Sequence, residues 1–235
     1  TLFSNPSTLP DNSNSNNPRF SDVAFSPSGS HLVVSTKNDM AVEGWAWSAD
    51  GFGTKLSDPS SGMPSGAQGG MDFSPSGAHL ALGSAAQIYP FDSNGFGTRI
   101  DQPSTEGNPM TDVKFSYAGD FVAYSCEASP YVQAFPFDGS AFGTRVSGAS
   151  GTSAGKSICW ARDDDHILMF NDSSSVGYCR VYPFSSGSFG SVQSNPSSSI
   201  GAAAFAADAS PDGNFIALAK DGNPPLKSEK VGCRE

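Results

Sequence analysis

The chain has 235 residues, with 13 Lys and Arg against 23 Asp and Glu, a net charge of −10 and only 15% charged residues, where an ordinary soluble domain carries about 25%. Its 26 Gly and 17 Pro exclude a helical protein, because these are the two poorest residues in a helix interior, and 11% aromatic residues exclude a disordered Gly/Ser/Pro linker. No stretch approaches the ~20 apolar residues of a membrane helix, the first residues lack the pattern of a signal peptide, and the acidic balance opposes nucleic acid and anionic membranes. An all-β, loop-rich domain is expected, with no nucleic-acid partner and no membrane insertion.

Three short motifs recur in chain order. The first is Phe25-Ser26-Pro27-Ser28-Gly29, repeated as Phe73-Ser74-Pro75-Ser76-Gly77 and Phe115-Ser116-Tyr117-Ala118-Gly119, each followed by an apolar run. The second is Trp45-Ala46-Trp47, then Tyr89-Pro90-Phe91, Phe135-Pro136-Phe137 and Tyr182-Pro183-Phe184. The third is Phe52-Gly53-Thr54, then Phe96-Gly97-Thr98, Phe142-Gly143-Thr144 and Phe189-Gly190-Ser191, whose glycines step by 44, 46 and 47 residues. A period near 45 with four short strands per unit is the signature of a propeller blade.

The expected fold is therefore an all-β propeller of about five four-stranded blades, over 20–60, 69–105, 110–150, 156–196 and 201–235. Thr1-Leu2-Phe3-Ser4-Asn5-Pro6 aligns with Thr54-Lys55-Leu56-Ser57-Asp58-Pro59, so residues 1–6 read as a fourth strand that completes the last blade and closes the ring. The other reading is a segment of a longer repeat array. Ser-Pro-Ser-Gly should close the hairpin between strands one and two of each unit. Asp50-Gly51 and Asn94-Gly95 should close the one between strands three and four, as type I′ turns. The fourth unit replaces the usual turn with Asp163-Asp164-Asp165. In the fifth, Ala209 stands where Phe is expected, and residues 221–235 should form at most an irregular third strand.

One face of such a disc carries these repeated hairpins. The other carries the variable loops 36–40, 125–130 and 171–176 and unequal crossovers, and function usually sits on variable loops of a rigid scaffold. Asn38, Asp39, Glu127, Asn171 and Asp172 are the binding candidates on that face.

His31, His79 and His166 share one slot after the first turn, where Asp120 and Asn214 stand in the other units. Residues in equivalent slots are spread around a ring, so a turn-flanking role is expected rather than catalysis, which needs a partner within hydrogen-bond reach. No Gly-x-Ser-x-Gly elbow is present. Three consecutive Asp side chains diverge, unlike the alternating ligands of a calcium loop. Cys126, Cys159 and Cys179 fall in or beside strands, where a thiol behaves as a small hydrophobe; a Cys126 to Cys179 bridge is possible but nothing in the spacing supports it, and Cys233 lies in the tail. Asn171-Asp172-Ser173 is the only glycosylation sequon. Trp45 and Trp47 occupy core slots rather than a sugar-stacking pair. No catalytic residue, metal ligand or cofactor site stands out.

The Phe-Ser-Pro-Ser-Gly-x-x-Leu-x-Val segments resemble the repeats of WD40-like propellers, whose blades carry a Phe-Ser-Pro-Asp-Gly turn; Ser210-Pro211-Asp212-Gly213 matches that turn. The Gly-His and Trp-Asp dipeptides of the WD40 unit are absent, so its hydrogen-bond network does not carry over. Tyr89 to Arg99 is similar to repeats in propeller proteins of tailed phages, particularly marine ones. The resemblance implies a non-enzymatic structural or interaction propeller, virion-associated or extracellular, that presents loops to a protein partner or a host-surface receptor. A carbohydrate-binding propeller is one alternative. An enzyme with a central-channel site is another, and it calls for titratable groups clustered at the channel.

Overall fold

The computed structural model describes residues 20–36, 42–59, 69–83, 86–101, 109–147, 153–171, 179–193, 203–210, 215–220 and 226–230. Every regular element among them is a strand. The first sheet contains β1 (Phe20–Phe25), β2 (His31–Thr36), β3 (Val42–Ser48) and β4 (Gly51–Lys55). The second contains β5 (Met71–Phe73), β6 (His79–Leu82), β7 (Gln87–Asp92) and β8 (Gly95–Phe96), with β9 (Ile100–Asp101) also on β7. The third contains β10 (Met110–Phe115), β11 (Phe121–Cys126) and β12 (Val132–Pro136), and a Phe137–Phe142 bridge marks its fourth-strand position. The fourth contains β13 (Gly155–Trp160), β14 (His166–Asn171), β15 (Cys179–Ser185) and β16 (Ser188–Phe189). The fifth contains β17 (Ala204–Ala209), β18 (Phe215–Lys220) and β19 (Leu226–Lys230). Within each sheet, chain neighbours pair antiparallel. Residues 1–6, assigned above to a closing strand, lie outside the described residues.

The first hairpin forms as its turn chemistry dictates. Gly29, Gly77 and Gly119 have φ of 69°, 74° and 78°, and each donates its N–H to the carbonyl of Ser26, Ser74 or Ser116 at 2.8, 2.8 and 2.9 Å. The same serine hydroxyls accept the N–H that opens the second strand, from His31, His79 and Phe121. In the fourth sheet Asp164 occupies the glycine position with φ 56°, and its carboxylate accepts the N–H groups of Tyr117 and Ala118 in the preceding turn at 2.7 and 2.8 Å. Part of the acidic triplet thus holds one turn to the next.

The second hairpin differs from the type I′ expectation. Ser48 pairs with Gly51 and Asp92 with Gly95, so the loops are Ala49-Asp50 and Ser93-Asn94. Only the glycine that follows each loop has positive φ, 98° and 118°. This is the glycine-bulge form of the hairpin, in which Gly supplies the left-handed residue after the turn. Positive φ at both loop residues occurs instead at Ser186 (49°) and Gly187 (71°). The last sheet also departs from expectation: β19 keeps a continuous register, from Phe215 opposite Lys230 to Ala219 opposite Leu226.

The second and third motifs exist for one another. Pro90, Pro136 and Pro183 accept an N–H from Gly97, Gly143 and Gly190 at 2.7, 2.8 and 2.8 Å. A Cβ on any of these glycines would stand 3.0 Å from the proline Cβ. The fourth strand therefore closes flat onto the proline, and a side chain in place of the glycine would have to push the proline ring back.

The first strands lie side by side in the order β1, β5, β10, β13, β17. Lys114 on β10 reaches Asp72 on β5 at 3.6 Å and Asp208 on β17 at 3.3 Å; one side chain spans these sheets because the row curls. Four apolar cores fill the gaps between consecutive sheets. Val33, Val42 and Leu56 of the first sheet meet Met71, Phe73, Leu80 and Phe91 of the second. The same pattern repeats between the second and third, third and fourth, and fourth and fifth sheets.

Register corrects the alignment of the histidine slot by one residue. His31, His79, Phe121, His166 and Phe215 are the equivalent positions, opposite Ala46, Pro90, Pro136, Pro183 and Lys230; Asp120 is the residue before the slot. The slot is aromatic in kind. His31, His79 and Phe121 stand edge-on to Phe91, Phe137 and Phe184 of the following sheet.

Candidate functional site

The polar chemistry gathers on the row of first strands. Each of β1, β10, β13 and β17 is bulged one residue after its start, and the residue that follows the bulge in the first, third and fourth sheets is Asp22, Asp112 or Ser157. These three repeat one task. Asp22 Oδ2 accepts the N–H of Met71 at 2.6 Å, Asp112 Oδ2 that of Ile158 at 3.0 Å, and Ser157 Oγ that of Ala207 at 2.9 Å. In every case the donor is the matching residue of the next sheet. Ser157 also donates its hydroxyl to Asp112 Oδ2 at 2.7 Å. The second sheet has Gly70 in this slot, where an added Cβ would collide with Asp112 Oδ1. There the work passes to Asp72, which accepts the N–H of Phe115 at 2.8 Å.

Two slots along, Asp72, Lys114 and Asp208 form a charged bridge across three sheets. The Asp208 side chain keeps 75% of its surface and Asp72 only 24%, so the bridge runs from a half-buried end to an exposed one. Burial pushes the Asp72 carboxyl up to about 7, although Lys114 and the Phe115 N–H pull it down. Burial likewise raises Asp112 to about 6, against Lys114 and the bonds from Ser157 and Ile158. Burial alone would lower Lys114, but Asp72, Asp208 and Asp112 outweigh it and hold the ammonium above its ordinary value. One ammonium cannot stabilise three carboxylates equally. Lys114 stays charged, and Asp72 is the acid that sits near neutrality.

Among the described residues no group of three or more His, Cys, Asp or Glu could hold a metal ion. Cys126, Cys159 and Cys179 are buried thiols. Cys126 lies in the core between the second and third sheets, whereas Cys159 and Cys179 share the one between the fourth and fifth, so the Cys126 to Cys179 bridge is not formed. Burial raises the Cys126 thiol to about 12, which makes it unreactive as a thiolate. Trp45 is buried and stands edge-on to Phe52.

Of the loop candidates, Glu127 is exposed, with its backbone N–H bonded to the Pro109 carbonyl. Asn171 is fully buried as the last residue of β14, opposite Gly155, so its side chain belongs to the sheet and cannot receive a glycan there. Asn38, Asp39 and Asp172 lie outside the described residues. Among the described residues the loop candidates are thus represented by exposed Glu127 and buried Asn171. The first-strand cluster escaped sequence reading, though a signal existed: Met71-Asp72-Phe73 and Val113-Lys114-Phe115 each place one charge between two buried apolar residues. Period-two alternation puts that charge on the opposite side of the strand.

No family model matches the chain, and no curated protein does. Among 1180 matching solved chains, hydrazine synthase of Kuenenia stuttgartiensis superposes with a TM-score of 0.61 at 14% identity, over 91% of this chain. The fold is β-propeller-like. This chain spans 58% of the length of that one. At 14% identity the likeness carries architecture and no activity.

Proposed function

We propose that the five sheets are five blades of a non-enzymatic binding propeller, which holds variable loops out to a protein partner or a host-surface receptor. The observation that carries this reading is the use made of the first-strand acids. Asp22, Asp72 and Asp112 direct carboxylate oxygens at backbone N–H groups of the next sheet, so the polar groups of the first strands serve as fasteners between sheets. A scaffold needs such fasteners; a hydrolytic site needs a nucleophile and a base facing an open position. The phage-like repeat motifs support a place on a virion surface or in the extracellular medium.

Affinity capture with the intact chain from its native particle or extract tests the reading. A partner should be retained, and Glu127→Lys should weaken retention while leaving thermal stability unchanged. Recovery of the chain alone from native particles contradicts it. A glycan array separates the lectin-like version, which requires a saccharide hit.

One observation favours a second reading, a ligand or reaction site at the row of first strands: the Asp72 carboxyl is raised to about 7 and stands 3.6 Å from the Lys114 ammonium. That version predicts turnover of some hydrolysable substrate in a broad panel, abolished by Asp72→Asn. Turnover indifferent to that substitution removes it.

A further inference from the structure

The third strands share a polar slot. Register places Glu43, Gln87, Gln133 and Arg180 opposite Val34, Leu82, Tyr124 and Met169, at one position of β3, β7, β12 and β15. In the first three sheets the slot carries a group able to accept a hydrogen bond, and that side chain has a partner. Glu43 Oε1 accepts from the Lys55 ammonium at 3.1 Å, Gln87 Oε1 accepts from the Tyr89 hydroxyl at 3.4 Å, and Gln133 Nε2 donates to Cys126 Sγ at 3.5 Å. The residue two places on is always aromatic: Trp45, Tyr89, Phe135 and Tyr182. In the second and fourth sheets it brings a tyrosine hydroxyl beside the slot.

The fourth sheet breaks the arrangement. Arg180 sets a donor-only guanidinium where the other three sheets carry an acceptor, so the Tyr182 hydroxyl has no counterpart of Gln87 Oε1. Tyr182 is 1% exposed and its hydroxyl has no hydrogen-bond partner; Arg180 is half-buried, and its Nε is buried without a partner as well. No ion pair among the described residues includes Arg180. Leu56, Ile100, Val146 and Gln193 each pair with the residue after the slot. The residue following Ile100 is Asp101, which answers Arg99 at 2.8 Å, whereas the residue following Gln193 is Ser194. Burial raises the Tyr182 hydroxyl above its ordinary value and the Arg180 charge draws it back, so the two groups lie within each other's field.

Two neighbouring buried donors call for one acceptor. We propose that Arg180 and Tyr182 form a binding site for an oxyanion, a carboxylate or phosphate group, held by the guanidinium N–H groups and the tyrosine hydroxyl. These are the acceptors whose geometry a guanidinium fork matches. Tyr131 and Val146 of the third sheet pack on the core that holds Tyr182, so apolar side chains border the site, and a charge-assisted bond is stronger where water is scarce. Arg180 is the second residue of β15, at the end of the sheet where Asn171 closes β14, which is the end that bears the variable loops. The inference stands whether or not those loops hold a protein.

Titration of the 235-residue chain with sodium acetate and with sodium phosphate, at an ionic strength held constant with chloride, tests it. The readouts are the thermal midpoint and the Arg180 Nε–H signal in nitrogen-edited NMR. Both should move in the wild-type chain and saturate, and the anion that saturates at the lower concentration names the ligand as carboxylate or phosphate. Tyr182→Phe should weaken binding about tenfold, the worth of one hydrogen bond to a charged group. Arg180→Gln should abolish the rise in midpoint. That variant restores the residue the slot carries in the second and third sheets, so it should fold, and without anion it should be at least as stable as the wild-type chain because Tyr182 regains an acceptor. A wild-type chain that neither anion shifts overturns the proposal. A midpoint that rises equally in the wild-type chain and in Arg180→Gln also overturns it, as a general salt effect. So does an anion-free Arg180→Gln less stable than the wild-type chain, since Arg180 then already has its partner within the chain.

Discussion

The imidazole of His79 stands edge-on to the ring of Phe137 in the next sheet, with centroids 5.0 Å apart and planes at 84°. Phe121 makes the same contact with Phe184 at 5.0 Å and 78°. A slot filled interchangeably by His and Phe is selected for its aromatic edge. Burial lowers the His79 basicity, which the bond to the Gly139 carbonyl offsets only in part, so the ring meets Phe137 largely as a neutral group. His79→Phe should accordingly hold stability within about 1 kcal/mol, the ring contact surviving and one hydrogen bond being lost. His79→Ala should cost about 1–3 kcal/mol, with most of that from lost packing. Urea unfolding of the three proteins checks this, and a His79→Phe variant as damaged as His79→Ala contradicts it.

Gly97 and Gly143 lie flat against Pro90 and Pro136, where a methyl group would stand 3.0 Å from the proline Cβ and force the ring aside. Gly97→Ala and Gly143→Ala should each destabilise the chain by about 1–3 kcal/mol through overpacking. Gly29→Ala separates space from backbone strain. A Cβ at Gly29 meets nothing within 4 Å, but its φ of 69° disfavours alanine, so about 1–2 kcal/mol should be lost by strain alone. Thermal unfolding reads all three.

Asp112→Ala removes the acceptor for Ile158 N–H and for the Ser157 hydroxyl. Leaving a part-buried N–H without its partner should cost about 1–3 kcal/mol. Gly70→Ala should damage the same place, because the new methyl group displaces the Asp112 carboxylate. Each sits at the same junction, so the double variant should lose less than the sum of the two.

The Asp72 and Asp112 carboxyls hold their protons more tightly in the folded chain than in the unfolded chain, at about 7 and about 6. The folded state therefore binds more protons between pH 4 and 7, and these two groups contribute stability that is full below pH 4 and is lost as pH rises through 6 and 7. Asp72→Asn abolishes its share of that dependence. The stability of the wild-type chain relative to Asp72→Asn should fall between pH 5 and pH 8; a difference that stays flat or rises contradicts the assignment.

The turns were the most legible part of the chain, because Ser-Pro-Ser-Gly carries its own backbone instructions and the period near 45 does the rest. The pairing of Pro90 with Gly97 was visible as two motifs, but their contact was not: it depends on the fourth strand closing over a residue that has no N–H. The histidine slot was misaligned because Asp120 and Asn214 are polar, as histidine is, whereas the strand register demands the aromatic neighbours Phe121 and Phe215. Asn171 looked like a loop residue in a polar run, yet it ends a buried strand. The first-strand charges were missed for a different reason. Asp72 and Lys114 are isolated charges in short apolar strands, and their meeting depends on the curl of a row of sheets, which a linear repeat does not display.

First-strand side chains fasten each sheet to the next, and residue-resolved amide hydrogen exchange tests this most directly. Met71, Phe115, Ile158 and Ala207 should exchange as slowly as the strand amides beside them, and Asp112→Ala should accelerate Ile158 selectively while Met71 and Phe115 stay protected. Fast exchange at all four amides in the wild-type chain, or an Ile158 amide indifferent to Asp112→Ala, would contradict it.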